Sequence, residues 1–181
     1  QTSWNGTANE VLDSSGNSYN GTAQGGATTT MSGKFDYAAS LDGTNDYVSV
    51  AHNAGLNLSR AATLSAWIYI NSVPASDAGI ARKDGEYSLR LVNNGTIGGK
   101  AYGCTGVQST TAPSTGAWHH VAWTYDLKVN KVYIDGKLDN TSQETCNIPT
   151  TTNSFEIGLM DTYFNGRIDE IRVYNRSLSP A

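Results

Sequence analysis

Short runs in which apolar and polar residues alternate recur along the chain, and turn residues separate them. The clearest run covers 63–70, where every second side chain is aliphatic: Leu64, Ala66, Ile68 and Ile70. A period of two, with β-branched and aromatic residues, predicts a β-strand. The opposite side consists of Thr63, Ser65, Trp67 and Tyr69. Both faces carry apolar bulk, so we expect this strand to be central in a two-layer stack.

The rest of the chain predicts more strands and almost no helix. Strand-like runs occupy 39–41, 47–50, 86–92, 118–126, 131–134, 155–159 and 168–174. Asp135-Gly136, between the 131–134 run and the strand-like run that resumes at Lys137, is a hairpin signal. Gly, Thr, Ser and Asn supply 73 of the 181 residues, and these residues disfavour helix interiors. The sequence therefore predicts an all-β fold, an antiparallel two-sheet β-sandwich or jelly roll with less than about 10% helix.

Charge and hydropathy exclude two classes of partner. The formal net charge is −4, and the 12 Lys and Arg residues are scattered along the chain. Because nucleic-acid binding needs clustered cations to neutralise phosphates, we expect no nucleic-acid partner. No run of about 18 apolar residues occurs, so we expect no membrane insertion.

Two cysteines, Cys104 and Cys146, are the whole thiol inventory. They cannot build a four-ligand zinc site alone, and neither belongs to a CxxC pair. We expect one disulfide between them, and the alternative is two buried free thiols. A disulfide and this polar, Gly-rich composition favour an extracellular or cell-surface protein.

Five segments, taken in order, resemble one known family. They are SLDGTNDYV at 40–48, TLSAWIY at 63–69, WHHVAWTYD at 118–126, VYIDG at 132–136 and NGRIDEIRVYNRSLS at 165–179. Together they resemble the laminin G-like domains of the concanavalin A-like lectin/glucanase superfamily. The resemblance implies a concanavalin A-like jelly roll. It narrows function less, because such folds include lectins, adhesion modules, pentraxin-like binders and glycosidases.

The resemblance also frames the domain boundaries. We expect residues 1–181 to form a single domain, with 1–9 as a flexible lead-in. Family members usually continue with a short C-terminal helix, and Ser179-Pro180 is typical of a helix start. We therefore expect that helix to be truncated in this sequence.

Catalytic chemistry is not evident in the motifs. Asp169 and Glu170 are neighbours on a predicted strand and point to opposite faces, so they cannot share one glycosidic bond. No Gly-X-Ser-X-Gly elbow occurs. His119 and His120 are adjacent in a strand, so one faces inwards and one outwards, typical of packed or hydrogen-bonded histidines. We expect no catalytic residues and no enzyme activity.

A calcium site is suggested near the N-terminus. Asp13 and Asn17 place two oxygen ligands in one turn, and Ca²⁺ prefers oxygen ligands. Family members often pair this turn with an Asp of the last strand, which is Asp169 here. A carboxylate beside apolar residues needs its charge compensated. We expect one structural Ca²⁺ bound by Asp13, Asn17 and Asp169. The alternative is that Asp13 caps a turn and Asp169 accepts hydrogen bonds from backbone amides.

Four residues are candidates for ligand binding. Asp84 resembles a calcium-site residue of pentraxins, and Asp161 lies in the loop that supplies the other pentraxin ligands. The richer acidic cluster of pentraxins is missing from that loop, which puts a double calcium site in doubt. Tyr102 and Tyr163 could stack on sugar rings, and the alternative for both is ordinary sandwich packing.

These observations leave two classes of function. One is a non-catalytic carbohydrate-binding or adhesion module of a larger secreted or cell-surface protein. Its partners would be a glycan or cell-surface polysaccharide, together with other surface proteins. The other is a structural subunit or stalk domain of a surface layer, pilus or fibre that binds only protein neighbours.

Overall fold

Two antiparallel sheets, each of seven strands, enclose the apolar side chains in the computed structural model, which describes residues 3–179. Sheet A contains, in spatial order, β1 (Gly21–Gln24), β4 (Tyr47–Val50), β13 (Phe155–Ile157), β6 (Ala78–Lys83), β7 (Tyr87–Leu91), β8 (Ile97–Ala101) and β9 (Val107–Gln108). Sheet B contains β12 (Lys137–Gln143), β11 (Val129–Ile134), β10 (Trp118–Tyr125), β5 (Ala62–Ile70), β14 (Asn165–Tyr174), β3 (Ala38–Asp42) and β2 (Thr28–Thr30). Within 3–179 the helical content is one short 3-10 turn, Ala54–Leu56.

The predicted all-β sandwich is confirmed. The 63–70 run is β5, and it lies between β10 and β14 near the middle of sheet B. Its aliphatic side faces the core, where Leu64, Ala66 and Ile68 are fully buried. Trp67 lies on the opposite, outer face and is half-buried.

Strands β6 and β8 are not predicted by the alternation pattern, because glycine replaces side chains in both. A Cβ on Gly99 of β8 would lie 2.1 Å from the ring of Trp123, which packs from β10 across the core. A Cβ on Gly79 of β6 would lie 2.0 Å from the carbonyl oxygen of Leu159. These glycines are required by close approach, and they remove the pattern that identifies a strand.

One end of the sandwich contains a buried ion pair. Lys83 and Glu86 are both fully buried, with Nζ 3.2 Å from Oε1. Lys83 also donates to the carbonyl oxygen of Asn153 at 2.7 Å. Glu86 accepts from the N–H of Thr151 at 2.6 Å. The pair therefore ties the segment before β13 to the β6–β7 turn.

The predicted disulfide is present. Cys104 and Cys146 are bonded, with Cα atoms 6.2 Å apart. The bond joins the β8–β9 loop to the segment after β12. Nearby, the Glu144 carboxylate accepts from the N–H groups of Thr105 at 2.6 Å and Gly106 at 2.7 Å. These contacts fix the same loop.

The chain ends are described in part. Trp4 packs against the core, and the Glu10 carboxylate accepts from the N–H groups of Asn5 and Gly6, each at 2.7 Å. Ser179 is the last described residue, so the predicted helix start at Ser179-Pro180 lies partly outside the described residues. No helix in 3–179 has the length and hydropathy of a membrane span.

Candidate functional site

The outer face of sheet A carries an ion pair at its centre. Arg82 of β6 is in register with Glu156 of β13, and both point away from the core. Arg82 Nε lies 2.7 Å from Glu156 Oε2, with both side chains about 15% exposed or less. Arg82 Nη1 also lies 3.6 Å from Asp84 Oδ1. The guanidinium is therefore held in place by two carboxylates.

Tyr102 lies beside this pair. Burial raises the pKa of its hydroxyl, and the charges of Asp84 and Asp161 act in the same direction. The Arg82 guanidinium, a hydrogen-bond partner of the hydroxyl, opposes that shift in pKa. Lys100 Nζ lies 5.2 Å from the centre of the Tyr102 ring. Two of the four predicted ligand residues, Asp84 and Tyr102, thus contact Arg82, and the charge of a third, Asp161, acts on Tyr102.

The loop 158–164 brings the fourth residue to the same face. The N–H groups of Asp161 and Thr162 donate to the carbonyl oxygen of Asp77 at 3.2 and 3.1 Å. Tyr163 then packs against Tyr47 of β4, with ring centres 6.2 Å apart and planes inclined at 43°. Tyr47 alternates with buried Val48, so it also points outwards.

We call this surface the tyrosine face. It is formed by Tyr47, Tyr102 and Tyr163 with Arg82, Asp84, Glu156 and Asp161. All three tyrosines are partly exposed. Rings of this kind give rigid contact area at low entropic cost, and the charged groups beside them can donate and accept hydrogen bonds. The chemistry suits a polyhydroxylated ligand.

Sequence reasoning missed Arg82, Glu156 and Tyr47. Arg82 and Glu156 are 74 positions apart, and the register that pairs them is not visible in the sequence. Tyr47 did leave a signal, because it alternates with Val48 and Val50 in the first motif. That alternation would have placed its ring on an outer face.

The three predicted calcium ligands already have protein partners. The Asp13 carboxylate accepts from the N–H groups of Ser15 at 2.9 Å and Tyr19 at 3.0 Å. Burial raises the pKa of Asp13, but these hydrogen bonds outweigh burial and lower it overall. The Asn17 side chain contacts Ser15 Oγ at 2.9 Å.

Asp169 lies on the outer face of sheet B, in register with Trp67. Its carboxylate accepts from the N–H groups of Phe35 at 2.9 Å and Glu170 at 2.8 Å. Asp13 and Asn17 are therefore joined through Ser15, whereas Asp169 is bound to a different loop. A shared Ca²⁺ site stays a prediction.

A second aromatic surface lies on the outer face of sheet B. A groove of about 510 Å³ is lined by Phe35, Trp67, His120 and Tyr133, among others. The rings of Phe35 and His120 meet Trp67 edge-on, at 6.1 and 5.4 Å between centres. Lys34 Nζ lies 4.2 Å from the centre of the Trp67 ring.

Comparison with protein families identifies the chain. Residues 42–181 match the Laminin_G_3 family, described as the Concanavalin A-like lectin/glucanases superfamily. Because the match covers more than half of the sequence, the chain belongs to this family, and the predicted resemblance is confirmed. No match was found among curated protein sequences.

Solved structures share the fold. Domain 4 of AbnA, a GH43 extracellular arabinanase from Geobacillus stearothermophilus solved with arabinotriose, has a TM-score of 0.77 at 26% identity. The match covers 95% of this chain and 90% of that one. The binding domain of botulinum neurotoxin serotype D has a TM-score of 0.72 at 17% identity, covering 98% of this chain and 48% of its own. A Trypanosoma rangeli sialidase has a TM-score of 0.60 at 17% identity, covering 85% of this chain and 27% of its own.

Proposed function

We propose that the chain is a carbohydrate-binding module that holds its glycan on the tyrosine face. The observation that carries this proposal is the contact of Asp84 and Tyr102 with Arg82, with Asp161 close enough to act on Tyr102 and with Tyr163 on the same face. The similarity to domain 4 of the arabinanase, which was solved with arabinotriose, supports the same class of ligand.

The charges on the tyrosine face favour a neutral glycan. Arg82 and Lys100 are balanced by the carboxylates of Asp84, Glu156 and Asp161, so no excess of positive charge is available for an acidic sugar. A ligand hydroxyl that bonds to one of these charged groups contributes about 1.5–3 kcal/mol. The tyrosine face combines aromatic rings with a few fixed polar groups, as ligand-binding sites commonly do. Such a surface can bind the uncharged hydroxyl groups of a neutral sugar.

The same proposal places the module outside the cell. The Cys104–Cys146 disulfide is typical of proteins that fold in oxidising compartments. We infer a module of a secreted or surface protein, where polysaccharide is the available partner. Adhesion to other surface proteins is the second candidate role, and it needs no sugar.

The test is a glycan array followed by calorimetry with neutral oligosaccharides, arabinotriose among them. Tyr102→Ala and Tyr163→Ala should each raise Kd by about tenfold, equal to about 1.4 kcal/mol. Tyr174→Ala, on the outer face of sheet B, is the matched control and should leave Kd unchanged.

Three outcomes separate the alternatives. Loss of binding in the Tyr102 and Tyr163 variants alone supports the tyrosine face. Loss in the Tyr174 variant alone would move the glycan to the groove of sheet B and refute the site. No binding to any glycan would refute the module and favour the structural subunit that binds only protein neighbours.

A further inference from the structure

Three hydrogen-bonded side chains lie at one end of the sandwich, where the β9–β10 loop meets the β11–β12 turn. Ser114 Oγ is 2.9 Å from His119 Nε2, and His119 Nδ1 is 2.8 Å from Asp135 Oδ2. This order of hydroxyl, imidazole and carboxylate is that of Ser–His–Asp triads in acyl transfer. Ser114 lies outside every motif considered in the sequence, so the arrangement was not predicted.

The carboxylate of this chain is fixed by the neighbouring strand. Asp135 donates its N–H to the carbonyl oxygen of His120 at 2.8 Å, and its Oδ1 accepts from the N–H of His120 at 2.9 Å. Burial raises the pKa of Asp135, but the hydrogen bonds from His119 and His120 outweigh burial and lower it overall. An ionised carboxylate only accepts hydrogen bonds. His119 Nδ1 therefore carries a proton, and in the neutral imidazole Nε2 presents a lone pair to Ser114.

The loop that carries Ser114 is held on both sides. Before Ser114, the Asp139 carboxylate of β12 accepts from the N–H of Thr110 at 2.5 Å and contacts Thr111. After it, the N–H of Gly116 donates to the carbonyl oxygen of Ile70 at 2.9 Å. The hydroxyl is therefore presented to His119 by a fixed backbone, which nucleophilic catalysis requires.

The surroundings admit a small substrate. Ser114 is exposed, and the His119 side chain is 16% exposed. Val73, which is 45% exposed, and Ala112 both lie within 4 Å of the Cβ position of Gly95. Of these two, Ala112 belongs to the loop that leads to Ser114. An exposed hydroxyl on a surface loop is open to a small, unhindered ester.

We propose that Ser114, His119 and Asp135 form a nucleophilic site that hydrolyses short-chain carboxylic esters. Ser114 Oγ attacks the ester carbonyl carbon, and its proton passes to His119 Nε2 while the carbonyl electron pair moves onto oxygen. Collapse of the tetrahedral adduct breaks the ester C–O bond, and the leaving alkoxide takes the proton from Nε2. Water repeats the sequence on the acylated Ser114 and releases the carboxylic acid.

Each residue has one role in these steps. Ser114 is the nucleophile and His119 the general base and acid. Asp135 is a positioning residue, because the imidazole is the only reacting group that it touches, and it fixes the tautomer of that ring. The open site leaves the oxyanion to solvent water, so the gain over water comes mainly from general-base assistance, which is typically about 10²–10⁴-fold.

The proposal is independent of glycan binding. Ser114, His119 and Asp135 belong to β10 and to loops at its end, whereas the tyrosine face belongs to sheet A. A protein that binds no sugar could still react at Ser114. The failure of one proposal is therefore distinguishable from the failure of the other.

The first experiment is covalent labelling of the intact chain with diisopropyl fluorophosphate, followed by intact mass and peptide mapping. We expect one phosphoryl adduct on Ser114. Ser114→Ala should remove the adduct, and His119→Gln should slow its formation by about 10²-fold or more, since the base is lost. Ser59→Ala, an exposed serine in the loop before β5, is the control and should label as the wild type does.

The second experiment is hydrolysis of p-nitrophenyl acetate, with thermal melts confirming that every variant folds. Asp135→Asn retains an oxygen acceptor for the N–H of His120, and Asn tolerates the positive φ of 51° at this turn. It should nevertheless lower the hydrolysis rate, because an amide can hold the imidazole in the wrong tautomer. Equal rates in wild type and Ser114→Ala, or labelling of other serines only, would overturn the proposal.

Discussion

Replacing Lys83 by Met should destabilise the fold strongly, because Lys83 is the buried partner of Glu86. Both side chains are fully buried. Met is unbranched like Lys and only one atom shorter, but it cannot donate to Glu86, to the carbonyl oxygen of Asn153 or to His52. The Glu86 carboxylate would keep only its contacts to Thr151, and its Oε2 already has no hydrogen-bond partner among the described residues.

The expected cost follows from leaving one charge uncompensated. Removing one partner of a buried ion pair typically costs about 3–5 kcal/mol. For a chain of this size, 1 kcal/mol shifts Tm by about 2–4 °C, so Tm should fall by about 6–20 °C. The double variant Lys83→Met/Glu86→Gln removes both charges and retains an oxygen acceptor for Thr151. It should recover more than half of the loss.

Urea denaturation of the disulfide-intact chain measures this cycle. Lys137→Met, an exposed lysine in β12, is the control and should change the free energy of unfolding by less than about 0.5 kcal/mol. A loss below about 1 kcal/mol in Lys83→Met would refute the reasoning. A double variant no more stable than the single one would show that the charge of Glu86 is not the cause.

Three further predictions concern calcium, the disulfide and pH. If Asp13, Asn17 and Asp169 bind Ca²⁺, calcium at 100 times Kd should raise the free energy of unfolding by about 2.7 kcal/mol relative to chelator. Asp169→Ala should abolish that increase. Equal melting midpoints with and without calcium in the wild type would contradict the site. The Cys104–Cys146 bond closes a loop with a sequence separation of 42. Cys104→Ser/Cys146→Ser should therefore lower the free energy of unfolding by about 4 kcal/mol, from the chain entropy that the unfolded state regains. An unchanged urea midpoint would show that the bond does not restrict the unfolded chain. Burial lowers the pKa of His120 despite the opposing charge of Asp135, and the charge of Arg172 adds to the lowering. His120 therefore binds a proton more readily in the unfolded chain than in the folded one, so its contribution to stability is complete above about pH 6.5 and is lost below it. His120→Gln should flatten the dependence of Tm on pH between about pH 7.5 and 5.5. An unchanged slope would exclude His120 as the cause.

The alternating strands of sheet B were predictable because each presents one face to the core and one to the outside. In β5 and β10 the period of two is intact over eight residues or more, and each has a partner on both sides. In these strands the side chains that the alternation predicts to be buried are therefore the ones that pack in the core. The hairpin at Asp135-Gly136 was predictable for a similar reason, since both residues adopt positive φ, 51° and 77°.

The candidate sites were less predictable because they depend on register. Asp84 and Asp161 were selected by family resemblance and Tyr102 for its aromatic ring, and only the sheet order β13–β6–β7–β8 brings Asp84 and Tyr102 to Arg82. The Ser114 arrangement left a partial signal. The predicted hairpin places Asp135 next to the end of β10, within reach of His119. The path of the loop before β10, which places Ser114 against Nε2, is not encoded in any local pattern.

Glycine explains why strands β6 and β8 were not predicted and why the tyrosine face lies where it does. Gly79 and Gly98 face outwards beside Arg90, as their register shows. A Cβ on Gly98 would lie 3.0 Å from the Arg90 guanidinium, and one on Gly79 would meet the backbone of Leu159. Side chains at these two positions would lift Arg90 and the loop 158–164 off the sheet, and Asp161 and Tyr163 would move with that loop. Glycine inside a strand weakens it by leaving nothing to pack, so its use here is explained by the close approach it permits. Gly79 and Gly98, which interrupt the alternating pattern of β6 and β8, therefore also allow Arg90 and the loop 158–164 to pack on the outer face of sheet A.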